Sequence, residues 1–377
     1  AYALLAYQTA YLKVKYPSEF MAALLSSVMN NLDKVGLYIQ EAKEMVIEVL
    51  PPDVNESGYE FETIASGNIR FGLKAIKNVG KNAIRSIIKA RQSEPYTGLE
   101  DFLQRIDPGK VNIKVVESLV KSGAMDGFEQ HRSQLLLRYE DLYQKINAGR
   151  KEHSKGQRSF FDLFEEKKEF YDSEIEYPDV DELDFGEKLS LEKEYLGIYI
   201  SGHPLDKWEG KIKALTNINC QQLSEIEEMH QAALAAVIVD YKLHVTRNEK
   251  QMAFLTVEDR AASTDIVVFP DLFNNLDFEL EEGKEVFITG RYEDDSFIAG
   301  NILPLEREFI CINIDYQKRK KLNQLSQIMS RNNGYKPVII NIGKDFILTA
   351  KKYWLTDEGL TAIIDIMGEK NIVHYQD

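Results

Sequence analysis

At 377 residues with 44% hydrophobic content, the chain can build several separate cores, which excludes global disorder. A net charge of −15 and an isoelectric point of about 5.1 argue against a histone-like coat for DNA, while leaving room for local basic surfaces. Cys220 and Cys311 are far apart, the six histidines are scattered and no apolar run reaches membrane-spanning length, so a disulfide framework, a zinc site and a membrane partner are not indicated.

The first residues, AYALLAYQTAYLK, have neither the charged start nor the cleavage site of a signal peptide. They also lack an initiator Met, which is expected of a piece cut from a longer chain, and the two distant cysteines fit a reducing cytoplasm. Residues Tyr2 to Met29 are helical in pattern, with a break at Tyr16-Pro17-Ser18 where Pro17 ends one helix and Ser18 is expected to cap the next. The stripe of Tyr2, Tyr7 and Tyr11 reads as core rather than as a ligand platform. Lys34 to Met45 makes a further helix, and Ile47–Leu50, Tyr59–Ile64 and Ile69–Phe71 read as short strands around the Pro51-Pro52-Asp53 turn.

The stretch from Ile69 to Arg91, IRFGLKAIKNVGKNAIRSIIKAR, then predicts helix, tight turn, helix. Gly80 is expected to take positive φ in the turn, and Val79 to plug the shared core. Unpaired N–H groups at the start of the second helix suit a phosphate oxygen, and Lys74, Lys77, Lys81 and Arg85 surround them. This is a helix-hairpin-helix that grips a nucleic-acid backbone without reading bases, or else an ordinary helical corner with solvated lysines. A second copy favours the former: a helix capped by Asn112 runs through Val115, Val116, Leu119 and Val120, breaks at Ser122-Gly123-Ala124, and is followed by a helix carrying Leu136, Tyr139, Tyr143 and Ile146. Between Ile69 and Gly123 stand eleven Lys/Arg against five Asp/Glu, a net of +6 in an acidic chain. Lys77, Asn78, Gly80 and Lys81 in the first hairpin, and Lys121, Ser122 and Gly123 in the second, are the candidate duplex contacts.

Beyond the hairpins the composition changes abruptly. In Gln157-Arg158-Ser159-Phe160-Phe161-Asp162-Leu163-Phe164 a glutamine precedes paired large apolar groups, as a short peptide needs for docking in a sliding-clamp pocket. Gln157, Ser159, Phe160 and Phe161 are its candidate contacts; the alternative is an amphipathic turn folded onto its own domain. From Arg158 to Glu194 there are fourteen acidic and five basic residues. Within them, Asp179, Asp181 and Asp184 are spaced somewhat like carboxylates that hold two metal ions, but the acid-rich surroundings offer no strand framework, so the segment reads as solvated linker.

Residues Asn217 to Leu305 alternate like an all-β unit of five strands, Leu234–His244, Gln251–Glu258, Thr264–Phe269, Glu285–Tyr292 and Phe297–Leu303, with a helix at Leu272–Leu276. That is an OB-fold barrel in outline. Ala253, Leu255 and Val257 are expected to face its core, leaving Met252, Phe254 and Thr256 outside. Arg247, Lys250 and Arg260 beside Phe254 make a stacking platform for single-stranded DNA, with protein contact as the alternative. The last segment, from Arg307, reads strand, helix, strand, strand, helix, strand, the order of a ferredoxin-like βαββαβ domain, and is expected to be an interaction module.

Taken together, AYALLAYQTAYLKVKYPSEFMAALLSS, LPPDVN, FGLKAIKNVGKNAI, KSGAMDGFEQHRSQLL and YLGIYISGHPL closely resemble the C-terminal portion of the bacterial DNA polymerase III alpha family, nearly end to end and in the right order. The resemblance implies a multidomain α+β chain. Its parts would be the α-helical end of a fingers region over 1–63, tandem helix-hairpin-helix over 64–150, a clamp-binding peptide over 151–170, an acidic linker and connector over 171–213, the OB-fold over 214–306 and the C-terminal domain over 307–377. It also implies a magnesium-dependent polymerase palm upstream, with no catalytic residue, metal or cofactor in this piece. Partners implied are primer-template DNA, single-stranded template, the sliding clamp and a clamp loader or other replisome proteins. The aspartate spacing at 179–184 is one residue too long for the family's palm motif. His203, before a proline and with no nucleophile near it in the sequence, reads as structural. The main alternative is a non-catalytic DNA-binding adaptor that recruits a clamp; a ligase or repair nuclease is disfavoured by the absence of a Lys-x-Asp-Gly motif and of a metal-ligand cluster.

Overall fold

A computed structural model describes residues 2–29, 31–154, 177–225, 231–293, 296–314, 321–331, 336–342, 345–348, 354–368 and 372–375. The chain divides into two compact units, 1–202 and 203–377. The clamp-type peptide Gln157–Phe164 lies outside the described residues.

The first unit opens with helices α1 (Tyr2–Lys15), α2 (Pro17–Val28) and α3 (Leu32–Glu44). Pro17 sits at the first position of α2, where its missing N–H costs nothing. Ser18 is therefore inside the helix, and its hydroxyl donates to the Gly67 carbonyl instead of capping. α1 buries none of its residues, and Tyr2, Tyr7 and Tyr11 are exposed, contrary to the core reading. Their spacing marks a helix face, but a spacing alone does not say what covers it.

Three two-residue strands follow, β1 (Val49–Leu50), β2 (Glu62–Thr63) and β3 (Ile69–Arg70), in the order β1-β3-β2. Then come α4 (Lys81–Ala90), α5 (Leu99–Arg105), α6 (Ile113–Lys121), α7 (Arg132–Ser154) and α8 (Phe185–Leu196). One continuous core joins Met21 and Leu25 of α2 to Phe71, Leu73, Ile84, Ile87, Phe102, Val116, Leu119 and Leu135. The hairpins thus share their packing with the helices before them.

The second unit starts with a 3-10 turn over Pro204–Trp208, where His203 is the capping residue and accepts from the Leu205 N–H at 3.1 Å, and continues into α9 (Glu209–Leu215). The barrel strands are β4 (Gln231–Val245), β5 (Gln251–Glu258), β6 (Ser263–Val268), β7 (Glu285–Glu293) and β8 (Ser296–Pro304), with α10 (Pro270–Phe273) after β6. They close in the order β4-β5-β6-β8-β7, the five-stranded OB arrangement. β4 is apolar on both faces for a reason. Leu234, Ala236 and Ile238 fill the barrel, while Ala233, Ala235 and Val237 pack under Leu205 and Leu215 of the preceding turn and helix. Gly290 sits at an irregularity in the β7–β8 pairing, and a Cβ there would stand 2.2 Å from the Ile298 carbonyl oxygen.

The final strands and helices are β9 (Phe309–Ile314), α11 (Leu322–Arg331), β10 (Lys336–Ile342), β11 (Asp345–Leu348), β12 (Trp354–Leu355), α12 (Asp357–Met367) and β13 (Ile372–Tyr375). The expected βαββαβ order is present, with β12 as an added short strand on β10. The sheet runs β11-β10-β9-β13, so α11 crosses between adjacent parallel strands, β9 and β10. A ferredoxin-like sheet would leave a strand between those two; here the βαβ unit is not split. Ile310, Ile312, Val338 and Ile340 meet Leu325, Met329, Ile363 and Met367 in its core.

Candidate nucleic-acid interface

The first hairpin is more compact than two full helices. Residues Leu73–Ala75 form a single 3-10 turn, Ile76 ends it, and Val79 tucks into the core as its apolar side chain demands. Positive φ falls on Asn78, at 67°, and not on Gly80, which is extended at φ −83° and ψ 162°. Asparagine tolerates the left-handed region better than other side-chain-bearing residues, which is why the turn closes without glycine there. Gly80 precedes α4 with no side-chain cap, and a Cβ placed on it would meet open space. The first amides of α4 are therefore accessible to an anion.

The second hairpin is built differently. Asn112 caps α6, accepting from the Val115 N–H at 3.0 Å, and Gly123 takes φ 79° at its end. A Cβ on Gly123 would collide with the Arg132 guanidinium, so glycine is required on two counts. Arg132 is buried and paired with Asp126, and Ser122 is buried with its hydroxyl donating to the Leu119 carbonyl at 3.1 Å. At the start of α7, Glu182 accepts from the N–H groups of Arg132 at 3.3 Å and Ser133 at 3.2 Å, and from the Lys188 ammonium at 3.0 Å. Burial alone would raise the pKa of this carboxyl; the hydrogen bonds from Lys188 and from the backbone of Leu183, Ser133 and Arg132 outweigh it and hold it at about 2. The helix start that could have taken a phosphate holds a carboxylate of the chain itself.

The described end of the acidic stretch, residues 177–194, is thus folded onto the hairpins and is not a solvated linker. Glu182 caps α7, and Asp184 caps α8 in a reciprocal capping box with Glu187. Asp179 and Asp181 are exposed. No local spacing marks Glu182 as a cap, because the amides it accepts from lie about fifty residues earlier.

The two hairpins are brought together by contacts the sequence did not announce. The Asn78 side-chain amide donates to the Ser118 hydroxyl at 3.2 Å. Tyr195 of α8 accepts the Lys77 N–H on its carbonyl at 2.9 Å, and its ring lies 5.7 Å from the Lys77 ammonium and 5.4 Å from that of Lys121. Lys77 also faces Glu194 at 3.7 Å, and Lys121 pairs with Glu117 at 2.7 Å, the hydrogen bond that chiefly raises the pKa of its ammonium. Lys81 stands apart on the exposed face of α4.

In the barrel, Ala253, Leu255 and Val257 are buried and Phe254 is 43% exposed. Phe254 pairs across the sheet with Lys242 and Val267, and its ring meets His244 edge-on with centroids 6.2 Å apart. Met252, expected outside, is buried opposite His244; alternation assigns a face and not its cover. Arg247 and Lys250 are exposed in the β4–β5 turn, close in sequence to the Phe254 end of β5. Arg260 lies beyond the other end of β5 and is bound to Asp206 at 2.6 Å, so the structure does not gather it with Phe254. Among the described residues no group of three His, Cys, Asp or Glu is placed to hold a metal ion, and no helix is long and apolar enough to cross a membrane.

Two family models match this chain: a helix-hairpin-helix motif over residues 46–135 and an OB-fold nucleic acid binding domain over residues 233–300. The DNA polymerase III subunit alpha of Borreliella burgdorferi is 35% identical over 88% of this chain and 29% of its own length. The DNA polymerase III subunit alpha of Buchnera aphidicola is 31% identical over 99% of this chain and 34% of its own length. The chain spans about a third of the length of these curated relatives. A replication protein A domain from Methanococcus maripaludis overlaps 22% of this chain and 89% of that domain at 19% identity, with a TM-score of 0.19, too low to carry an argument.

Proposed function

We infer, from the chain's place in the DNA polymerase III alpha family as part of its C-terminal portion, that it holds DNA and a sliding clamp for a template-directed polymerase whose palm lies elsewhere in the parent protein. The parent transfers nucleotides with magnesium; this piece contributes position and no catalytic group. The observation that carries the reading is the uncapped start of α4 at Gly80, ringed by cations within a chain of opposite net charge. Open amides and lysines fit a phosphate oxygen and are indifferent to base identity, as a replicative enzyme requires.

The barrel, with Phe254 exposed on β5 and Arg247 and Lys250 exposed in the turn that precedes that strand, suits single-stranded template. The clamp reading rests on the sequence of Gln157–Phe164, and the C-terminal domain is read as an interaction module, with a clamp loader or other replisome proteins as its candidate partners. Changing Lys77 and Lys81 to Glu tests the duplex reading. Binding should weaken for unrelated sequences alike, with a shallower salt dependence. Unchanged affinity would refute it.

A further inference from the structure

The cations around the hairpins fall into two groups. Lys74, Lys77, Lys110 and Lys121 each face a carboxylate, at 3.9 Å from Glu60, 3.7 Å from Glu194, 2.8 Å from Asp107 and 2.7 Å from Glu117. Arg91 is also occupied, donating to the carbonyls of Val54 at 2.6 Å and Ser57 at 2.7 Å. Lys81, Arg85 and Lys89 of α4 are different, as are Lys114 of α6 and Lys145 of α7: all are exposed and, among the described residues, none forms an ion pair, but the first three stand together on one helix.

Their spacing of four residues sets them in a row along one side of α4, beginning at its first residue, while Ala83, Ile84 and Ile87 bury the opposite side. The row is about 12 Å long at 1.5 Å per residue, comparable with roughly three nucleotides of one DNA strand at about 3.4 Å each. With Tyr59, Ile88 and Gln92 these cations line a concavity of about 410 Å³. Three uncompensated charges along one helix repel one another, a cost that an anion of matching repeat would remove.

We propose that one strand's phosphodiester backbone runs along α4, from the open amides after Gly80 past Lys81, Arg85 and Lys89 to the concavity at Tyr59 and Gln92, while the start of α7 and Lys121 in the second hairpin make no phosphate contact. This deepens the duplex-binding reading and rests on it. The second hairpin supports the first through Asn78 and Ser118, and Glu182 fills its helix start.

The test compares the wild-type chain with Arg85→Gln/Lys89→Gln and with Lys121→Gln, on two 20-base-pair duplexes of unrelated sequence, by fluorescence anisotropy over a range of salt. Thermal melting of each variant checks that it folds. The double variant should bind both duplexes about tenfold more weakly, with a salt slope smaller by about two, and Lys121→Gln should stay within twofold of wild type. Equal loss in both variants, loss only in Lys121→Gln, or loss in neither would overturn the one-sided track. A wild-type chain that binds no duplex would remove the underlying reading and the proposal with it.

Discussion

Asn78 and Ser118 lock the two hairpins together: the Asn78 amide, held out by a turn at φ 67°, donates to the Ser118 hydroxyl at 3.2 Å. One residue thereby serves both the shape of the first turn and its attachment to α6. Asn78→Gly keeps the left-handed backbone accessible and loses only the hydrogen bond, at a cost of about 1 kcal/mol. Asn78→Ala adds roughly 1–2 kcal/mol for a Cβ forced into that region. Urea unfolding should therefore rank wild type above Asn78→Gly and that above Asn78→Ala; equal stability of the two variants would contradict the assignment of the turn.

The carboxylate of Glu182 gives the hairpin unit an acid-sensitive latch. Its folded pKa of about 2 lies below the ordinary 4.5, so the stability it contributes is complete above pH 4.5 and lost as pH falls through about 2. Glu182→Gln should flatten the acid limb of the stability curve between those values and quicken amide exchange at Arg132 and Ser133. A variant with an unaltered acid limb would show that Glu182 is not the latch.

In the barrel, the exposed ring of Phe254 and the tied guanidinium of Arg260 predict unequal effects. Stacking contributes roughly 1–3 kcal/mol per base, so Phe254→Ala should weaken single-strand binding about tenfold or more. Arg260→Gln should leave it within about twofold, its ion pair with Asp206 being partly exposed and contributing under about 1 kcal/mol to stability. The reverse ranking would move the single-strand site to the other end of β5.

Replacing Gln157, Phe160 and Phe161 by Ala should abolish capture by immobilised sliding clamp and leave binding to clamp-free DNA unaltered. Burying the two rings offers about 1.5–3 kcal/mol each before ordering costs, a weak contact that tethering to shared DNA strengthens through effective concentration. An undiminished clamp complex in the triple variant would end that reading.

Much of this fold was legible because local chemistry set it. Asn112 reads as a cap and is one, and the alternation of Ala253, Leu255 and Val257 placed them in the barrel core. What stayed hidden was long-range. The Asn78 amide finds its partner Ser118 forty residues later, and Glu182 finds the α7 amides about fifty residues earlier, pairings that no periodicity records. The exposed face of α1 and the strand order of the last sheet escaped for the same reason: a pattern names a face, and only tertiary neighbours decide its cover. Charge counting found the basic island, but could not tell which lysines were already paired. Lys89 and Tyr59 beside Lys81 emerged only when α4 and the loop before β2 were seen together.

The central claim, that a DNA phosphate sits on the open start of α4, is tested most directly by backbone amide resonances on adding a duplex of arbitrary sequence. The account predicts large shifts and slowed exchange at Lys81, Asn82 and Ala83, with Arg132 and Ser133 unmoved because Glu182 already occupies their amides. Shifts confined to Arg132 and Ser133, with α4 silent, would contradict it.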